Sequence, residues 1–373
     1  MIQSIRLTNF KCFESVSIPL AGLTLLTGLN GTGKSSIIQG LLLLRQTYYL
    51  NMTNQMSGSE TLSIHGDLVG FPNAKPILFD NSEASEFGIC ITDKNDIDIL
   101  KLISNVANDS GNISTKSITK TADTFSENLF THRFQYLQTE RLAPQMAYAM
   151  SEFHVRQLQR LGSRGEFTAH FLDVFGKTEI NSSLNHEKAR SGQLIHQAAA
   201  WLGEISPGID IHIAPHTNVN AVVLEYSFAT SLGRSRNYLP TNVGFGITYT
   251  LPIIVAILAA QPGDMLILEN PEAHLHPQGQ VRMAELVARA ARAGIQIILE
   301  THSDHIINGV RVAVRQGKCA PGDVSIHYFS KKEAEDGRIY SDFVSPIIDK
   351  NGRITPWPEG FFDEWEKSLE ALF

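Results

Sequence analysis

The stretch Gly28-Leu29-Asn30-Gly31-Thr32-Gly33-Lys34-Ser35 decides how the chain is read. It fits GxxxxGK[ST] without a mismatch. Glycines at these positions let consecutive backbone N–H groups turn inward around a phosphate. The lysine then reaches the β and γ phosphates, and the following hydroxyl binds Mg2+. The context is the one this chemistry needs. Leu23 to Leu26 reads as a buried strand running into Gly28. Ser35 to Leu44 reads as a helix with Ile37, Ile38 and Leu41 to Leu44 on its apolar face.

Working outward, Ile2, Ile5 and Leu7, then Val16 and Ile18, alternate as strands do. Residues 51–64 and 104–124 are rich in Asn, Ser, Thr and Gly and are expected to be loops or strand connections. Between them, Phe87 to Thr92 and Ile97 to Ile103 read as short strands. Helical patterns then run over 147–161 and 186–202, so residues 142–206 are expected to form a helical insertion in a larger fold. Residues 209–228 return to strand alternation.

From Gly244 onward, helices alternate with the strands Met265–Leu268, Ile295–Leu299 and Val324–Phe329, separated by helices over Gln278–Ala293 and Asp304–Val314. This alternation implies a parallel sheet with helices on its faces. A phosphate loop needs a carboxylate from another strand to hold Mg2+, and Met265-Leu-Ile-Leu-Glu269 supplies an apolar strand ending in an acid. Asn270-Pro-Glu272-Ala-His274-Leu-His276-Pro277 follows it. The next strand ends in Glu300-Thr-His302-Ser-Asp304. Three strand ends bearing phosphate-handling groups, in this order, set the expected fold: α/β, a P-loop NTPase.

Composition bounds the alternatives. Of 373 residues, 43% are hydrophobic and 18% charged, which excludes wholesale disorder. The net charge of −7 excludes a uniformly basic nucleic-acid coat and leaves room for a local patch. Cys12, Cys90 and Cys319 stand far apart with no CxxC pair, which suits a reducing compartment and gives no zinc motif. The N-terminus lacks a signal-peptide core, and the longest apolar stretch, Ile247 to Ala260, falls short of the roughly 20 residues that span a bilayer. The expectation is a soluble cytoplasmic protein with no membrane partner.

At these motifs the chain resembles ATP-binding-cassette-type ATPase heads of the SMC/Rad50/OLD-like group. More narrowly, it resembles the bacterial AAA-type ATPases that carry a C-terminal DUF3696 region and are associated with anti-phage defence. IRLTNFKCF (5–13) followed by LTGLNGTGKSS (26–36) matches the group's opening strand and Walker A. LILENPEAHLHP (266–277) looks like Walker B, and ILETHSD (298–304) like the switch-histidine segment. NVGFGITYTLPIIVAIL (242–258) sits where such heads carry the signature helix. YLQTERLAP (136–144), WLGEISPG (201–208) and WPEGFFDE (357–364) look like marks of the narrower family. The resemblance covers nearly the whole chain. It implies an ABC-ATPase-like head with a mixed sheet, discontinuous over 1–141 and 207–373, with 142–206 as insertion or lid and 320–373 as a DUF3696-like tail.

Residue by residue, the resemblance implies that Asn30, Gly31, Thr32, Gly33, Lys34, Ser35 and Ser36 bind ATP, with Ser35 and Glu269 on Mg2+. It makes Glu269 the Walker B acid and His302 the switch histidine. Gly244 and Gly246, on the helix led by Asn242, would face the γ-phosphate of a second subunit in a head-to-tail dimer. Physically, a helix N-terminus offers free N–H groups and a positive dipole end. Two departures stand out. The signature is Asn-Val-Gly-Phe-Gly rather than the Ser-Gly-Gly of transporters, so contact in trans rests on backbone and Asn242. The usual Asp-Glu pair is Glu269-Asn270, and an amide orients a water without accepting its proton. Either Glu272 acts as base or hydrolysis is slow, and slow hydrolysis with ATP holding a state is the preferred expectation.

Other candidates carry weaker readings. His274, His276, His302 and His305 suggest a metal site, but hydrogen-bonding or packing roles fit better because no cysteine or acid completes the ligand set at useful spacing. Arg141 after Glu140 reads equally as a nucleotide or hinge contact and as a strand-end salt bridge. Arg156, Arg160, Arg164, Lys188 and Arg190 could meet DNA or RNA phosphates, although a solvated helix face is the better reading at this net charge. Trp357 to Phe362 is either a partner-docking motif or a tail folded onto the sheet.

Three functions follow. The first is an ATP-dependent switch that dimerises around ATP and gates an effector protein, a nuclease encoded beside it, in anti-phage defence. The resemblance implies this setting, and no nuclease motif is visible in the chain. The second is a DNA-repair or DNA-end-sensing ATPase of RecF/Rad50 type. The third, a transporter ATPase, is disfavoured by the atypical signature and the inserted unit.

Overall fold

The computed structural model describes residues 1–53, 61–80, 82–93, 95–106, 112–121, 127–358 and 360–372. By its internal contacts the chain divides into two compact units. The first holds Met1–Thr131, Ser325–Ile347 and Ile354–Phe373, and the second holds His132–Val324 and Ile348–Arg353.

The first unit opens with β1 (Ser4–Phe10), β2 (Phe13–Pro19), β3 (Leu23–Gly28) and α1 (Lys34–Thr53), as the alternation predicts. In β1, Ile5 and Leu7 are buried while Thr8 faces out, the period of a strand with one covered face. In β3 every residue up to Thr27 is buried, which is why it reads as a continuous apolar run. β4 (Thr61–Ser63), β5 (Glu86–Thr92), β6 (Asp98–Asn105) and β7 (Asn112–Lys120) follow, and an antiparallel sheet forms in the order β2-β1-β5-β6-β7-β4. Gln46 of α1 ties this region together. Its amide donates to the carbonyls of Ser63 and Val69 and accepts from the N–H groups of Leu68 and Val69, all at 3.0 Å.

The segment 104–124 therefore departs from the loop expectation, because β7 occupies much of it. Its sequence NISTKSITK holds two apolar residues, so period-2 hydrophobicity is weak, and pairing with β6 and β4 makes it a strand. In 51–64, α1 extends to Thr53 and β4 takes Thr61–Ser63. The parts of these two stretches at 54–60, 107–111 and 122–126 lie outside the described residues.

The second unit is built on three parallel strands, β8 (Phe134–Leu137), β13 (Met265–Glu269) and β14 (Gln296–Glu300), with β13 in the centre. Between β8 and β13 the chain forms β9 (Tyr148–Ala149), α2 (Thr168–Phe175), α3 (Leu194–Gly203), β10 (Ile209–His216), β11 (Ala221–Thr230), β12 (Gly233–Arg234) and α4 (Phe245–Ala259). β10, β11 and β12 pair antiparallel in that order, and β9 also pairs with β11. α4 is buried almost all round from Ile247 to Leu258, as a core helix of uniform hydrophobicity must be. α5 (Pro277–Arg292) starts with Pro at its first position under a His276 cap, and α6 (Asp304–Arg315) starts under a Ser303 cap. Gly309 lets these two helices approach, since a Cβ there would sit 2.5 Å from Ala284 Cβ.

Residues 147–161 are not the long helix expected. They hold β9 and a single π-helical turn over Phe153–Gln157, and Gln159 and Gly162 with positive φ end it. In 186–202 the helix begins only at Leu194. His186 to Gln193 instead folds back on α3, where Gln197 accepts from His186 N–H and donates to the Ser191 carbonyl. By its contacts 142–206 belongs to the second unit.

The chain then returns to the first unit with β15 (Val324–Glu333) and β16 (Ile339–Val344), an antiparallel pair, and β15 also neighbours β3. At the C-terminus, Phe361 is fully buried, with its ring 5.3 Å from Tyr328 of β15. Of the two readings of 357–362, the folded tail is what Phe361 shows, and Glu359 lies outside the described residues.

Candidate active site

In the first unit, β3 delivers the chain into the glycine loop and α1 carries it away. Gly28, Gly31 and Gly33 have φ of 133°, 72° and 103°, conformations that side chains disfavour. Space demands glycine too. A Cβ at Gly28 would stand 2.3 Å from the Phe329 carbonyl oxygen, and one at Gly33 would stand 2.6 Å from Phe13 Cζ and 2.7 Å from Cys12 Sγ. Lys34 is buried, and its ammonium donates to the carbonyls of Gly28 at 3.0 Å and Leu29 at 2.7 Å. Thr32 braces the same loop through a 2.8 Å bond to the Leu29 carbonyl. Asn30, Gly31 and Ser35 are exposed, while Ser36 is buried with its hydroxyl 3.5 Å from Cys12 Sγ.

In the second unit, the carboxyl ends of three parallel strands converge. Register pairs Leu268 with Leu137 and Glu269 with Glu300, so the segments after β8, β13 and β14 leave from one edge. This is the edge at which open α/β sheets bind ligands. Glu269 is seated there by three hydrogen bonds. Tyr136 hydroxyl donates to Oε1 at 2.9 Å, and Thr139 donates to Oε2 through its N–H at 3.0 Å and its hydroxyl at 2.9 Å. Burial, and then the Glu269 charge, push the Tyr136 hydroxyl far above its ordinary range, so it stays a donor.

Asn270 follows in left-handed backbone at φ 44°, and its N–H donates to the Glu300 carbonyl at 2.9 Å. Asparagine tolerates this conformation better than glutamate does. That is a backbone reason for an amide at this position. Its side-chain Oδ1 is buried without a hydrogen-bond partner among the described residues. Two residues on, Glu272 Oε1 accepts from His302 N–H at 2.8 Å, joining the turn after β13 to the turn after β14. Burial raises the Glu272 carboxyl above its ordinary value, against the lowering effect of that bond. The His302 side chain itself is exposed.

Arg141 is where sequence reasoning falls short. It is neither a strand-end salt bridge nor open to solvent. It is 1% exposed, and its guanidinium donates to the carbonyls of Gln138 at 3.1 Å, Glu269 at 2.8 Å and Asn270 at 2.7 Å. Glu140 pairs instead with Arg164 at 3.2 Å. Tyr136 and Thr139 were also missed as site residues. The quoted run YLQTERLAP contains all three, but which of its side chains turn toward β13 depends on the β8–β13 register.

Asn242 ends a short 3-10 turn at the surface, Gly244 caps α4, and Gly246 opens its first turn. These residues line a cleft of about 560 Å³ with Tyr238, Val243 and His274. The two glycines differ. A Cβ at Gly244 meets nothing within 4 Å, whereas one at Gly246 would stand 2.5 Å from the His274 carbonyl oxygen. His274 packs in a ring cluster with Phe245 and Tyr249, with centroids 5.0 and 4.8 Å away, and His276 caps α5. Among the described residues no group of His, Cys, Asp and Glu could hold a metal ion by itself, and no helix is long and apolar enough to cross a membrane.

The basic residues of 142–206 are largely paired. Arg156 meets Glu152 at 2.6 Å, Arg164 meets Glu140, Lys188 meets Glu204 at 2.8 Å, and Arg190 bonds Asp210.

The class these features define is a P-loop, ABC-ATPase-like α/β head with mixed strand pairing. In solved structures, the chain is similar to an Smc head bound to the C-winged helix domain of ScpA, with 15% identity, TM-score 0.54, and coverage of 94% of this chain and 98% of that one. It is also similar to an Smc head domain with an extended coiled coil bound to the C-terminal domain of ScpA derived from Pyrococcus furiosus, with 13% identity, TM-score 0.51, and coverage of 100% and 99%. At these identities the likeness shows the fold. The chain belongs to the family described as "AAA domain, putative AbiEii toxin, Type IV TA system", whose model matches residues 99–308. An AAA ATPase domain model matches residues 1–152, and that of a protein of unknown function, DUF3696, matches 319–372. No match is found among curated proteins.

Proposed function

We propose that this protein is an ATP-binding and ATP-hydrolysing switch whose heads dimerise around ATP and gate an associated effector, a nuclease, in cytoplasmic bacterial anti-phage defence. The observation that carries this reading is the seating of Glu269. A carboxylate held by three hydrogen bonds at the end of a central parallel strand, in a chain that also carries the Lys34 loop, is the equipment of phosphoryl transfer.

The roles follow residue by residue. Asn30, Gly31, Thr32, Gly33, Lys34, Ser35 and Ser36 bind the phosphates of ATP. Ser35 and Glu269 would hold Mg2+, and the donor types fit that ion: a hydroxyl and a carboxylate are the hard oxygen ligands it prefers, and the Asn270 Oδ1 is a buried acceptor with no hydrogen-bond partner among the described residues. Bound there, Mg2+ would offset the charge that develops on the phosphates. Asn270 orients water without taking its proton. Glu272, with its carboxyl raised by burial and anchored to the His302 backbone, is the available base. A base tied down in this way supports slow turnover, with ATP holding a closed state. Asn242, Gly244 and Gly246 face the nucleotide of the second subunit, and residues 142–206 act as lid.

The family description, naming a toxin of a type IV toxin–antitoxin system, supports the defence setting. The Smc heads of similar fold, which are bound to domains of ScpA, support a protein partner. Direct action on DNA or RNA has less support, because four of the five basic residues that suggested it are paired with carboxylates.

The test is phosphate release with ATP and Mg2+, using Lys34→Ala as blank, together with ATP-dependent assembly. Slow release and ATP-stabilised dimers, both lost in Lys34→Ala, are expected. Unchanged assembly of Lys34→Ala in saturating ATP would refute the sandwich.

A further inference from the structure

We propose that Arg141 is a positioning residue for the acid end of β13: its guanidinium, straddling the Glu269 and Asn270 carbonyls beside Tyr249, fixes the turn that carries Glu269 and Glu272. The proposal rests on the ATPase reading above.

Three observations on the second unit carry it. First, Arg141 is 1% exposed, and a buried guanidinium is costly unless its donors are used. Here both Nη groups go to backbone, with Nη1 on Glu269 O at 2.8 Å and Gln138 O at 3.1 Å, and Nη2 on Asn270 O at 2.7 Å, while Nε is buried without a hydrogen-bond partner among the described residues. Second, the two acceptors are consecutive carbonyls at the end of β13. Glu269 is its last residue, Asn270 turns away in left-handed backbone at φ 44°, and the Asn270 carbonyl also accepts from Ala273 N–H at 3.2 Å. Two consecutive carbonyls match the planar fork of arginine, and a lysine, as a point donor, cannot span both. Third, the guanidinium lies over the Tyr249 ring, 5.4 Å from its centroid. Tyr249 belongs to α4, whose first turn carries Gly244 and Gly246. One buried cation thus joins three pieces: the segment after β8 that supplies Thr139 to Glu269, the acid turn after β13, and the helix proposed to meet a second subunit's nucleotide.

An apolar residue of equal volume would leave the Gln138, Glu269 and Asn270 carbonyls without this donor, and a lysine would not span the last two, so the fork fixes the position of the Glu269–Glu272 turn.

The test compares the full-length protein with Arg141→Lys, Arg141→Met and Tyr249→Leu, with Lys34→Ala as control. Four quantities are read: affinity for a fluorescent ATP analogue, turnover, the Mg2+ concentration that gives half the ATP-induced thermal shift, and melting temperature without nucleotide. Arg141→Lys and Arg141→Met should keep nucleotide affinity within about threefold, lose about tenfold or more in turnover, and need about tenfold more Mg2+, the scale on which partners of ligating residues act. Tyr249→Leu should shift the Mg2+ requirement in the same direction by less. Because the Mg2+ reading does not need hydrolysis, it holds for a slow enzyme. Parental turnover and Mg2+ requirement in Arg141→Lys would overturn the proposal. So would a loss confined to melting temperature. If Lys34→Ala matches the parent in nucleotide binding, the ATPase reading itself falls and takes the proposal with it.

Discussion

The hydroxyl of Tyr136 donates to Glu269 Oε1 at 2.9 Å across a pair of parallel strands. The acid at the end of β13 is therefore aimed by a residue 133 positions earlier. Tyr136→Phe removes this donor and leaves the two bonds from Thr139. Turnover should fall about tenfold with nucleotide affinity little changed, as when a ligand's hydrogen-bond partner is lost. Parental turnover in Tyr136→Phe, by phosphate release, would show that Thr139 alone seats the carboxylate.

Asn270→Glu places a second carboxylate directly after Glu269. The left-handed backbone at φ 44° sets a cost of about 1–2 kcal/mol in stability. The variant should melt at lower temperature than the parent and hydrolyse ATP faster if only the base is missing. A lower melting temperature without faster phosphate release would assign the base to Glu272 or another group.

Gly244 and Gly246 should separate in substitution. Gly246→Ala drives a Cβ to 2.5 Å from the His274 carbonyl and should lose about 1–3 kcal/mol of stability. Gly244→Ala enters open space and costs at most about 1 kcal/mol as a changed helix cap. Its effect should appear instead as weaker ATP-dependent dimers in a sedimentation measurement. Equal melting losses in the two variants would contradict the packing difference.

His327 predicts a pH dependence in the first unit. It is fully buried, its Nδ1 lies 2.8 Å from Ser345 Oγ and its Nε2 2.7 Å from the Pro19 carbonyl, and burial lowers its pKa from 6.5 to about 4. Between those values the unfolded chain binds a proton that the folded one refuses. Stability is therefore complete above about pH 6.5 and falls as pH drops toward 4, by at most about 3 kcal/mol. Thermal melts of the parent should lose more over this window than those of His327→Gln. Parallel curves would remove His327 as the cause.

Much of the candidate site was legible because its residues are contiguous. Gly28 to Ser35 places glycines, ammonium and hydroxyl within eight residues, and β3 and α1 flank them where hydrophobic patterning set them. Glu269 was legible as the acid ending an apolar strand. β7 was not, because polar β-branched residues carry little hydrophobic alternation, and pairing with β6 decides its state. Residues 147–161 misled in the other direction. Their helical spacing is overruled by positive φ at Gln159, followed by Gly162 just beyond the stretch.

The sequence by itself determined the glycine loop between β3 and α1, the strand–helix alternation and the acid at position 269, because each depends on residue types at short, regular spacings. Tertiary structure alone decided how that acid is held. Tyr136 and Thr139 reach Glu269 only because β8 lies parallel to β13 in the register that pairs Leu137 with Leu268. Arg141 turns to the Glu269 and Asn270 carbonyls rather than to a carboxylate, a partnership set by how the segment after β8 packs against the end of β13. Hydrogen bonds between residues some 130 positions apart depend on strand register, and register is a property of the packed sheet.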